Sequence, residues 1–203
     1  MNRMPGESLV LASASTTRAR ILVDAGIPIT IDPAHLDEAA VKAAFAAERL
    51  DAASCARALA ETKAVRISLR HADSLVIGAD QMLDCGGKWF DKPRDPAEAH
   101  TQLKQLRGKR HDLETAVCVA INGAIIWHAA DRAGLTMRAF SDVFLDAYIA
   151  AAGDTVLSSV GAYRLEGLGA QLFERIEGDY FTILGLPLLP LLHFLRGRGA
   201  LAA

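Results

Sequence analysis

The chain has 203 residues, 51% hydrophobic and 23% charged, a globular balance long enough for one sizeable core or two lobes and unlike a disordered segment. Its formal net charge of −2, without a long Lys/Arg block or interleaved aromatics, argues against a nucleic-acid partner. The cysteines Cys55, Cys85 and Cys118 lack paired spacing, so they read as reduced thiols of a cytoplasmic protein, not as zinc ligands or disulfides.

The N-terminus MNRMPGE carries no apolar stretch of the kind a secretory leader needs. The first predicted element is a strand over 8–12, followed by a helix over 15–25 for which Ser15 is the N-cap. A short strand at 28–31 and helical material from about 38 to 71 precede a strand at 74–79. Met82–Phe90 reads as a hairpin around Cys85-Gly86-Gly87, and Asp95-Pro96-Ala97-Glu98 opens a helix that Gly108 stops. Two β segments near 110–121 and 125–138 are joined by Asn122-Gly123, and Ser141 caps a helix to Ala152.

Between Ser159 and Gly185 the glycines Gly161, Gly167, Gly169, Gly178 and Gly185 suggest strands and tight turns. The apolar run Leu184–Leu195 is too short to span a bilayer and is interrupted by Pro187 and Pro190, so it reads as a buried helix opened by proline, with no membrane partner. Alternating strands and helices predict an α/β fold. No repeat or linker divides the chain, so residues 1–203 read as a single domain with two lobes.

The segment SLVLASASTTRARIL, Ser8 to Leu22, is the strongest chemical signal. A strand delivers the chain to a helix N-terminus whose unpaired N–H groups and positive dipole end attract an anion, and Arg18 adds a charge one turn in. The same segment also fits an ordinary strand, turn and capped helix with solvated arginines.

Asp80 comes at the end of the predicted strand SLVIGAD, where open α/β sheets place ligands; it could hold a metal, activate water, or merely close a turn. Lys92, in Asp91-Lys92-Pro93, could reach a phosphate or lie solvated in a loop. Asp37-Glu38 could supply the oxygen ligands that Mg²⁺ or Mn²⁺ prefer, or compensate a helix dipole. Lys63 lies on a helix whose Leu59, Ala60, Ala64 and Ile67 face the core, and its ordinary role would be a surface pair with Glu61 or nearby acids.

Taken in order, SLVLASASTTRARIL, LDE, LAETKA, VIGADQ, DKPRDPAEAHTQLKQLRGKRH and SVGAYRLEGLGAQLFERIEGDYFTILGLP resemble the Maf family of nucleoside triphosphate pyrophosphatases from about Ser8 to Arg196. The resemblance implies a fold like that of inosine triphosphate pyrophosphatases, a mixed sheet with flanking helices and two lobes around a nucleotide cleft. It also implies a homodimer, a divalent cation such as Mg²⁺ or Mn²⁺, and hydrolysis of NTP to NMP and pyrophosphate. By position, Asp80 matches the catalytic proton acceptor, and Ser13, Arg18, Glu38, Lys63 and Lys92 match the other polar active-site positions. The residues then sort as catalytic Asp80, Lys63 and Lys92, metal-holding Glu38 and Asp80, and substrate-binding Ser13 and Arg18.

The resemblance links three further positions to base choice, here Thr17, Gln81 and Glu166. Gln81 and Glu166 resemble the branch acting on 7-methyl-GTP, and a glutamate suits the N1–H and amino group of a guanine. Thr17 departs from that branch, which carries tryptophan, and from the dTTP/UTP branch, which carries arginine. Thr16 replaces a usual proline and Asp91 a common glycine. Two roles are consistent with this set: a house-cleaning hydrolase of modified nucleotides, or a nucleotide-binding regulator of cell division.

Overall fold

The structure, a computed structural model, describes residues 8–202; residues 1–7, from which the absence of a leader was read, lie outside them. Strand β1 (Leu9–Leu11) leads through Ser15 into α1 (Thr16–Asp24), where the Ser15 side chain accepts from the Arg18 N–H as the expected N-cap. Then come β2 (Thr30–Ile31), α2 (Glu38–Ala47), α3 (Ala52–Ser68) and β3 (Leu75–Cys85). The helical stretch expected from 38 to 71 is therefore two helices. Arg49 adopts a positive φ of 56°, and Asp51 begins a new helix by accepting from the Ser54 N–H.

After β4 (Lys88–Phe90) come α4 (Pro96–Leu106), β5 (Arg110–Ile121), β6 (Ala124–Met137) and α5 (Asp142–Ala152). Asp95 caps α4 as expected, and Asn122 and Gly123 both take positive φ between β5 and β6. The glycine-rich stretch holds tight turns and one strand, as expected: after a 3₁₀ turn at Gly153–Leu157 come 3₁₀ turns at Val160–Ala162 and Leu168–Leu172 and then β7 (Phe173–Glu177). Positive φ at both Gly161 and Ala162 interrupts any extended run there. Helices α6 (Tyr180–Ile183) and α7 (Leu188–Gly197) close the chain. Leu188, Leu191 and Leu195 make the buried face of α7, with Pro187 as its N-cap residue.

Among the described residues, seven strands form one mixed sheet in the order β2-β1-β3-β5-β6-β7, with β4 also paired to β3. The α/β expectation with a mixed sheet and flanking helices is met. The chain divides into two compact units: residues up to Gln81 with Thr115–Asp131 and the segment from Gly185, and Met82–Glu114 with Arg132–Leu184. In the first, β1 runs parallel to β2 and β3, and Val10, Ala12, Ile67 and Val76 pack together. The second has its own core, including Leu83, Leu103, Leu113, Leu135 and Tyr163. No described helix is long and apolar enough to cross a membrane. Cys55, Cys85 and Cys118 are free thiols, and burial pushes that of Cys118 up to about 12.

Candidate active site

Parallel pairing aligns Leu11 of β1 with Ile77 of β3. Strand β1 stops there and β3 continues, so Ser13 and Asp80 both lie beyond the paired segment, on the carboxyl side of β1. Asp80 is thus inside a long strand, not at the strand end or turn expected from the sequence. The strand continues because Leu83, Asp84 and Cys85 pair antiparallel with β4.

Lys63 makes the central contact. Its Nζ lies 2.6 Å from Asp80 Oδ1 and 2.6 Å from Glu38 Oε1. Lys63 and Asp80 are buried at 6% and 5% exposure, and removing a partner from such a pair leaves a charge in a poorly solvated place. The surface pairing expected with Glu61 does not form; Glu61 lies beside Arg57 instead. Helical periodicity explains this, since position 63 shares the buried face of Leu59, Ala60, Ala64 and Ile67. The approach of α3 to β3 depends on Gly78: a Cβ there would collide with the Ala60 carbonyl and come within 2.8 Å of Ala64 Cβ.

Glu38 starts α2 and is half-buried. Burial pushes its pKa up, but the hydrogen bond from Lys63 and the charges of Lys63, Lys42 and Arg18 outweigh this and hold the carboxyl below its usual value. Its neighbour Asp37 takes the helix-start position that was the other role open to the pair. It is the N-cap of α2, accepting from the Ala40 N–H at 3.0 Å.

Arg18 comes from the first turn of α1. Its Nη1 donates to Ser13 Oγ at 3.1 Å and its Nε to the Gly185 carbonyl at 2.7 Å. Burial pulls its pKa down while Asp80 and Glu38 oppose that shift, and the guanidinium stays cationic. Gln81 Nε2 donates to Thr115 Oγ1 at 2.9 Å. Thr17 is half-buried on α1.

The first unit therefore brings together Ser13, Arg18, Glu38, Lys63 and Asp80, with Gln81 next in sequence to Asp80. Lys92 and Glu166 belong to the second unit. Lys92 is exposed between β4 and α4, ahead of buried Pro93. Glu166 accepts from Arg164 Nε and Nη2 at 2.9 and 2.8 Å. Sequence reasoning missed Thr115, Gly185 and the packing role of Gly78. Each had a signal: a polar residue inside an apolar strand, a glycine ahead of Leu186-Pro187, and a glycine in a buried strand.

The description Maf-like protein matches residues 8–198. The chain belongs to the Maf-like family. This confirms the resemblance read from the ordered motifs. Among the relatives of this Maf-like chain, a nucleoside triphosphate pyrophosphatase of Paramagnetospirillum magneticum is 57% identical over 95% of this chain and 99% of its own length. A protein of the same name from Granulibacter bethesdensis is 53% identical over 95% of this chain and 98% of its own length. A 7-methyl-GTP pyrophosphatase of Rhizobium meliloti is 46% identical over 96% of this chain and 98% of its own length.

Proposed function

We propose that this Maf-like chain is a hydrolase of acid anhydrides that cleaves nucleoside triphosphates to the monophosphate and pyrophosphate. The buried Lys63 bridging Asp80 and Glu38 carries the reading, supported by the names of relatives similar along almost their whole length. Cleavage between the α and β phosphorus atoms needs water directed at the α phosphorus and charge neutralised on the departing pyrophosphate. Asp80 takes the proton from that water. Arg18, oriented by Ser13, and Lys63 offset negative charge on the phosphates, and Lys92 is read as a further phosphate-neutralising cation from its match to the family's polar positions.

Glu38 and Asp80 are oxygen donors of the type Mg²⁺ and Mn²⁺ accept. Among the described residues no group of three His, Cys, Asp or Glu side chains is placed to hold a metal; in the proposed reading the cation would share one or two carboxylates with substrate phosphates and keep its waters. When bound, such a cation polarises phosphoryl oxygens and offsets their charge. Gln81 and Glu166 favour a purine of the 7-methyl-GTP type, in a house-cleaning role on modified nucleotides. A homodimer is part of the same reading.

Purified protein with Mg²⁺ or Mn²⁺ should release pyrophosphate and an equal amount of monophosphate from members of a panel of 7-methyl-GTP, GTP, ITP, dTTP and UTP. Asp80→Asn should be inactive. Release of orthophosphate alone, or of nothing from any nucleotide, would overturn the activity; preference for dTTP and UTP would overturn the purine assignment.

A further inference from the structure

Arg18 is useful to a phosphate only if its guanidinium faces the ligand, and one of the two contacts that orient it comes from the far end of the chain. Gly185 is 167 residues away in sequence, and its carbonyl accepts from Arg18 Nε at 2.7 Å. Its φ of +96° is a backbone conformation that L side chains rarely adopt. A Cβ at Gly185 would lie 3.4 Å from Arg18 Nε, 3.5 Å from Nη2 and 3.7 Å from Gln81 Oε1. These are ordinary contact distances, so the backbone angle, not lack of space, demands glycine. Relieving that angle rotates the peptide that carries the accepting oxygen.

We propose that Gly185 is a positioning residue that acts through Arg18. Its carbonyl takes the Nε–H while Ser13 takes an Nη1 hydrogen, so the guanidinium is fixed from two sides and its terminal edge is presented for phosphate oxygens, which such a fork meets in a bidentate way. The orientation exists before substrate arrives, which lowers the entropy lost on binding. The proposal rests on the pyrophosphatase reading of Arg18.

The test is a double-variant cycle with Gly185→Ala and Arg18→Lys, measuring kcat/KM for GTP with Mg²⁺. A lysine lacks the Nε–H donor, so the Gly185 effect should vanish with it. Gly185→Ala alone should lower kcat/KM about ten- to hundred-fold, yet add less than about three-fold once Arg18→Lys is present. Factors that multiply in the double variant overturn the proposal and leave the role of Arg18 intact. Full activity of Arg18→Lys overturns the reading beneath it as well. Should Gly185→Ala fail to fold, ¹⁵N NMR of the unliganded wild type decides: the Arg18 Nε–H should exchange with water far more slowly than that of an exposed arginine, and equally fast exchange contradicts the proposal.

Discussion

Helices α2 and α3 supply two of the three groups in the central ion pair network, yet they are attached in opposite ways. Helix α3 buries Lys63 along with Leu59, Ala60, Ala64 and Ile67, whereas no residue of α2 is buried. The position of Lys63 is therefore fixed by apolar packing against β3. Glu38 is held by its link to Lys63 and by the Asp37 cap at the start of its helix, and the apolar Val41 and Phe45 of that helix are only partly buried. Damage on the α3 side should reach the fold, while damage on the α2 side should reach activity far more than stability.

The sharpest test is Lys63→Met, which leaves Asp80 buried without its ammonium. It should cost about 3–5 kcal/mol of folding stability by urea unfolding and abolish hydrolysis. Gly78→Ala pushes α3 off β3 through the Ala60 carbonyl, and should cost about 1–3 kcal/mol with a fall in kcat. A stability unchanged in both variants would break the contrast.

Glu38→Gln should behave differently, losing about 100-fold in kcat/KM while changing stability by less than about 1 kcal/mol, since this glutamate is partly solvated. Its folded pKa lies below the usual 4.5. Its contribution is therefore present above that value and lost as pH falls through the folded pKa, so the unfolding curves of wild type and variant should converge in acid. The smallest effect on the fold should come from EDTA, which removes turnover and leaves Tm unchanged, because the cation shares its ligands with the nucleotide.

Much of this arrangement was legible in the sequence where local chemistry decides it. Ser15, Asp95 and Ser141 cap helices through their own side-chain oxygens, and Asn122-Gly123 can adopt the positive φ of its turn unaided. What depends on distant partners was less visible. The strand through Asp80 outruns its expected end because β4 pairs with it. Lys63 is instructive: the periodicity that placed Leu59, Ala60, Ala64 and Ile67 on the core face also placed Lys63 there, but its charge argued for the surface. Only the carboxylates brought to it by β3 and α2 make its burial tolerable. Ordered motifs carried the family, while the local signals at Gly185 and Thr115 mark the residues without naming their distant partners, Arg18 and Gln81.

The most direct test of the central claim is hydrolysis in H₂¹⁸O followed by mass spectrometry of both products. The account expects one ¹⁸O atom in the nucleoside monophosphate, unlabelled pyrophosphate, and no turnover by Asp80→Asn. Label in the pyrophosphate, or an active Asp80→Asn enzyme, would contradict it.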